Sequence, residues 1–248
     1  MRIMEPQRVP WNSSWRWCRE AALLSGRCLA PCILVAMTFG LLVLMTVGSP
    51  VSDLASCIGL LCQALQVAFI HATEHRRGYL ATILQARSGW LSLITLAACC
   101  FLGVWGLRAV GWSASSYPEI HGLWIRASLM VIDQACGWLL APPILLFVPL
   151  LVTGLPSADS ASQLARKGTL VNLKPLAIPM VGSLVFSAIV RLVAMATWPP
   201  ILLVVALALQ PLLAGYMYAA YRHVFLGLPP IEERRAASSH SLATEGST

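Results

Sequence analysis

Six runs of about 20 predominantly apolar residues govern what this chain can fold into, because a helix of that length reaches across a hydrocarbon layer about 30 Å thick. They fall at Cys28–Gly48, Leu54–Ala72, Trp90–Val110, Gln134–Thr153, Pro175–Met195 and Trp198–Ala219. Only 11% of the 248 residues are charged and 58% are hydrophobic, whereas soluble domains carry about 25% charge. So few charges could not cover the surface of a water-soluble body this size, and lipid is the expected solvent. In lipid the backbone must satisfy its own polar groups, which a helix does within one segment. The expected fold class is therefore all-α: a polytopic membrane bundle of six transmembrane helices with short amphipathic interfacial helices. Residues 1–27 form an N-terminal segment, 28–227 the six-helix domain, and 228–248 a polar tail that lacks apolar periodicity and is expected to be disordered.

The basic residues give the bundle a direction. With the N-terminus cytoplasmic, 14 of the 17 Lys and Arg fall on the cytoplasmic side, leaving Arg108, Arg126 and Arg191 on the other. That asymmetry follows the positive-inside tendency, with an even number of crossings and both termini inside. The aromatic residues fit the same frame, with Trp112, Trp124 and Trp198 at the outer boundary and Trp90, Tyr216, Tyr218 and Tyr221 at the inner one. The first apolar run starts only after Arg27 and has no small-residue cleavage site, so it reads as an anchor rather than a removable signal. The net charge of +7 is dispersed between apolar runs in no stripe or tract, which argues against nucleic acid as a partner.

Two basic-side segments read as surface helices. In WNSSWRWCREAALL, Trp11, Trp15, Cys18 and Ala22 recur at helical spacing while Arg16, Arg19 and Glu20 form the polar side. In PSADSASQLARKG, Ala158, Ala161, Leu164 and Ala165 share a side, and Ser157 is a natural N-cap. The hexapeptides ARSGWL (Ala86–Leu91) and ARKGTL (Ala165–Leu170) each precede an apolar run and leave open a duplicated two-crossing unit.

Charges also stand close to the fourth run. Counting about 20 residues back from Thr153 exhausts the hydrocarbon near Gln134, which sets Asp133 at the outer interface. Glu119, Arg126 and Asp133 are spaced by seven, within about 20° of one face, so they form a single polar stripe on an amphipathic outer segment. The other reading buries the segment and pairs Asp133 with Arg126 or Arg191, and a buried lone charge costs about 2.5–3.5 kcal/mol. Arg191 lies near enough to the outer edge to snorkel. Gln63, Gln66 and Gln210 suit hydrogen bonds between helices or the lining of a polar path.

Some patterns invite chemistry. HATEH, His71 to His75, has the H-x-x-E-H arrangement in which two histidines hold zinc and a glutamate acts as base. His71, Glu74 and His75 are thus the metal candidates, but Arg76 and Arg77 come immediately after and disfavour a dication. His71 and His223, both at the inner edge, could in principle hold haem, though no second pair or binding motif accompanies them. Cys28 and Cys32 sit at i, i+4 in an apolar run, where cysteine acts as a small hydrophobe. No Gly-rich phosphate loop or nucleophile elbow appears, so no catalytic residue and no cofactor are assigned.

The stretches WNSSWRWCREAALL, HRRGYLATIL, SGWLSLITL, LLAPPILLFVPLLV, LVNLKPLAIP and PLLAGYMYAAYRHVFLG lie between Trp11 and Gly227. In that order they resemble a family of small polytopic inner-membrane proteins of proteobacteria. Shared features are a proline-containing span, a short polar helix, Asn-Leu-x-Pro (Asn172, Leu173, Pro175) and a Tyr-x-x-Tyr-Arg ending (Tyr218, Tyr221, Arg222). The resemblance implies a bacterial inner-membrane location and a helical bundle, but no activity. His71, Glu74, His75 and His223 are not among the shared features.

Function is therefore expected to be non-enzymatic: a helper, scaffold or assembly partner, with the bilayer and a second membrane protein or another copy of the chain as partners. A small-solute transporter or channel is the alternative, since proline-broken spans resemble the discontinuous helices of solute sites. A membrane-embedded enzyme is the third.

Overall fold

The computed structural model describes residues 5–46, 52–114, 143–153, 157–177, 181 and 201–228. Among these the chain is all-helical, without strands. In chain order the elements are α1 (Ser13–Arg27), α2 (Leu29–Thr46), α3 (Ser52–Glu74), α4 (Tyr79–Gln85), α5 (Arg87–Ala114), α6 (Pro143–Val152), α7 (Ala158–Val171) and α8 (Ile201–Tyr221). A π-helical turn, Arg222–Leu226, closes α8. The stripe Glu119, Arg126 and Asp133, together with Arg191, lies outside the described residues.

Four apolar runs are helices close to where the sequence places them: α2, α3, α5 and α8. Among the described residues no single helix is long and apolar enough to cross a membrane. Two bent pairs pass together: α1 with Leu29–Leu42 at 96°, and α4 with Arg87–Gly103 at 74°. In each pair a polar or short helix meets an apolar one nearly at right angles. Cys28 and Ala86, the last residues before the bends, leave helical geometry, at φ −123°, ψ 38° and φ −93°, ψ 21°.

α8 is the hub of the core and packs on α1, α2 and α3. Its inner face is small, and this permits close backbone approach. At Gly215 an added Cβ would lie 2.6 Å from the carbonyl oxygen of Ala21 and 3.0 Å from that residue's Cα. Nearby, the Ser25 hydroxyl donates to the Pro211 carbonyl at 2.6 Å. Across α2 and α3, Gln66 donates to the Cys32 carbonyl at 3.1 Å. α6 meets α5 at Gly89, where a Cβ would run into the Leu151 backbone.

One end of the bundle gathers distant segments. The backbone N–H of Val9 donates to Asn172 Oδ1 at 2.8 Å, and Asn172 Nδ2 donates to the Gln7 carbonyl at 2.9 Å. Gln7 N–H in turn donates to the Val224 carbonyl at 2.7 Å, and the Ser14 hydroxyl to the Pro175 carbonyl at 2.5 Å. The N-terminal segment, the ends of α3, α7 and α8, and α4 thus share this end. Gly227, at φ 57°, stops the π turn in the left-handed region that glycine enters freely.

α7 matches its expected design. Ser157 caps it by accepting from Ser160 N–H at 3.2 Å, and Ala161 and Ala165 are buried. α1 differs from expectation. It buries Trp17, Ala21 and Leu24 and leaves Trp15 and Cys18 exposed, as is Trp11 just ahead of it. Glu20, expected on the polar side, is buried, because the inward face of α1 meets a cation at the end of α8.

Candidate functional site

The polar centre of the molecule is that meeting of α1, α3 and α8. Helical periodicity puts Glu20 one turn beyond Trp17 on the buried face of α1, and Glu74 in the last turn of α3. The π turn after Tyr221 adds a residue to the helical ladder and re-aims the side chains beyond it, a device common at functional sites. Arg222, with none of its surface exposed, lies between the two carboxylates. Its Nη1 donates to Glu20 Oε2 at 3.2 Å, and its Nε is 3.2 Å from Glu74 Oε1. His223 Nε2 lies 3.2 Å from Glu20 Oε1. The Nη1 contact is a directed hydrogen bond, whereas the Nε and His223 Nε2 contacts do not have hydrogen-bond geometry.

Aromatic rings wall the ions in. Trp17 stands edge-on to Tyr216 with centroids 5.7 Å apart, and lies 6.3 Å from the His223 ring. Tyr218 shares a hydrogen bond with His71 Nδ1 at 2.9 Å, and the Thr153 hydroxyl donates to Tyr221 at 3.1 Å. Burial raises the Tyr221 phenol above its ordinary value; the Thr153 bond opposes this and the Glu74 carboxylate adds to it. The tyrosines expected at a boundary belt are instead buried in the bundle, because α8 turns this face inward against α1 and α3. Among the described residues, the buried Trp17 Nε1 and Arg222 Nη2 have no hydrogen-bond partner.

The H-x-x-E-H residues take different polar partners. His71 faces Tyr218 and Glu74 faces Arg222, while His75 Nδ1 lies 3.0 Å from the His71 carbonyl of its own helix. The two imidazoles touch, with centroids 4.2 Å apart. Among the described residues no group of three or more His, Cys, Asp or Glu is gathered as a metal cage would require. His71 and His223 each face other partners, Tyr218 and Glu20. Cys28 and Cys32 are free thiols with their sulfurs 3.5 Å apart. Gln63 is half-buried, Gln66 and Gln210 are buried, and among the described residues the side-chain oxygens of the last two have no hydrogen-bond partner.

Sequence reasoning missed Glu20 and Arg222 as partners. The signal was there: two acidic residues and one arginine occur at the same predicted end of three apolar runs, where opposite charges would find each other. A scan of protein-family models, a search of curated proteins and a search of solved structures each return no match.

Proposed function

We propose that this chain is an integral membrane protein of six spans with cytoplasmic termini, and that its role is that of a non-enzymatic scaffold or assembly partner. One observation carries the membrane part. The outward faces of α2, α5 and α8 expose large aliphatic side chains in helical register, such as Leu34, Met37, Leu41 and Met45 on α2, while Glu20 and Arg222 are buried between helices. This is the reverse of a water-soluble body, and lipid is the solvent that suits it. Support for the orientation comes from the end that collects the N-terminal segment, α7 and the close of α8, since these segments carry Arg8, Arg16, Arg19, Arg166, Lys167 and Arg222.

The scaffold role draws on the same end. An ionic junction locks α1, α3 and α8 into one rigid platform, and short helices with outward apolar residues flank it. Carbonate-washed membranes should retain the protein, a C-terminal reporter should be active on the cytoplasmic side, and mild-detergent purification should recover a stoichiometric partner. Release by carbonate rejects the membrane reading; an external C-terminus rejects the orientation; repeated recovery of the bare protein rejects the scaffold.

A second reading, passage of a small polar solute, is favoured by the buried side-chain oxygens of Gln66 and Gln210, which have no partner among the described residues, and by Pro211 next to Gln210. Under it, Gln66→Leu with Gln210→Leu abolishes uptake into proteoliposomes. Under the scaffold reading the double variant recovers its partner as the parent does.

A further inference from the structure

The two hexapeptides that look alike in sequence are alike in burial. Ala86 and Ala165 are buried, Gly89 and Gly168 press against neighbours, and Arg87 and Arg166 are exposed. Leu91 and Leu170 are each 67% exposed. Since i and i+4 share a helix face, each unit presents an arginine beside a leucine, pointing away from the bundle. α1 repeats the theme with larger groups: Trp15 is 75% exposed, next to exposed Arg16. α1 and α7 share the end stitched together by Asn172, Gln7 and Val224, and α4 reaches it through Tyr79, whose ring packs on Phe69 near the end of α3 where Glu74 meets Arg222.

Two further features point to the layer that covers them. First, α1 and α4 meet their apolar partners at 96° and 74°. If α2 and α5 run along the membrane normal, α1 and α4 lie in the interfacial plane, where exposed Trp and Leu have an apolar layer to enter. Second, the exposed charges beside these residues are mostly positive: Arg16, Arg87, Arg166, Lys167 and Lys174, against one exposed acid on α7, Asp159. A basic rim around interfacial aromatic and aliphatic groups is complementary to phosphate headgroups of acidic lipids and mismatched to neutral ones. An acidic protein surface would meet the charge but leave the leucines and tryptophans unburied.

We propose that this end is a binding collar for acidic phospholipid headgroups, built from the outward faces of α1, α7 and the α4–α5 bend. The proposal rests on the membrane reading above and adds a lipid class to it. Its test uses the full chain, reconstituted into vesicles of phosphatidylcholine alone or mixed with phosphatidylglycerol. Lipids retained through detergent exchange are then counted by mass spectrometry. The parent should retain phosphatidylglycerol in preference to phosphatidylcholine, and the preference should fall with salt. At roughly 1 kcal/mol per basic residue near an acidic surface, each of Arg166→Gln, Lys167→Gln and Lys174→Gln should lower retention about fivefold. Lys167→Arg with Lys174→Arg should keep it, which separates lost charge from lost fold. Trp15→Ala should weaken retention without changing its salt dependence. Incorporation into both vesicles with equal retention of the two lipids overturns the collar and leaves the membrane reading standing. Failure to enter either vesicle overturns both. Displacement of phosphatidylglycerol by a co-purifying protein that shields Trp11 and Trp15 also overturns the collar, in favour of a protein occupant.

Discussion

Arg222→Met should destabilise the folded chain by about 3–5 kcal/mol, the cost of breaking a buried ion pair from one side. The arginine is the cation between Glu20 and Glu74, whose side chains are 4% and 13% exposed. Methionine fills the volume but leaves both carboxylates facing a low-dielectric interior with that counter-charge gone. Glu74→Gln should be milder, because Arg222 keeps Glu20. Arg222→Lys should fall between them: a guanidinium places Nη1 and Nε toward two helices at once, while an ammonium is a single point charge. The triple variant Glu20→Gln, Glu74→Gln, Arg222→Met should recover most of the loss, since it removes charges together and leaves none stranded. Thermal unfolding in detergent, monitored by helical circular dichroism, reads the series. If Arg222→Met melts with the parent, the junction is not what joins these helices.

How far the sequence foretells this molecule depends on range. The apolar run Leu54–Ala72 lies within α3, Ser52–Glu74, and the run Trp198–Ala219 nearly coincides with α8, Ile201–Tyr221. Apolar run length is a local property, and locally it suffices. The cap of α7 at Ser157 is equally local, a side chain and an N–H three residues on. The junction is not. Glu20 and Arg222 are 202 positions apart, so their charges show only a shared end of the apolar runs, and the pairing is decided when α8 packs on α1. α1 misleads for the same reason: the spacing of Trp11, Trp15, Cys18 and Ala22 picks out one apolar side, while the side through Trp17 and Ala21 is the one that the bundle buries. The choice falls to Gly215, which lets α8 approach the Ala21 stripe more closely than any side chain would permit.

Gly215→Leu should therefore have the other large effect, above the roughly 1–3 kcal/mol typical of overpacking. The clash is with main chain: even the first added carbon meets the Ala21 carbonyl at 2.6 Å and its Cα at 3.0 Å, as well as Ser25 Oγ at 2.5 Å. Backbone cannot rotate away as a side chain can, so α1 and α8 must separate. Separation would also break the Ser25 bond to the Pro211 carbonyl and pull Glu20 from Arg222. Gly215→Ala gives the cleaner sign. In a helix, alanine is favoured over glycine by about 1 kcal/mol, so a destabilised Gly215→Ala can only reflect the contact. Gly26 on α1 and Gly103 on α5 have nothing within 4 Å of an added Cβ. Alanine at either should be neutral or stabilising by up to about 1 kcal/mol. The expected order of melting temperatures is Gly103→Ala and Gly26→Ala at or above the parent, then Gly215→Ala, then Gly215→Leu. Trp17 fluorescence should report the cause, shifting to longer wavelength in Gly215→Leu as water reaches the ring and staying in place in the two controls. Gly215→Ala melting above the parent would mean that α1 does not lie against α8, and the ionic junction would then have no frame to hold it.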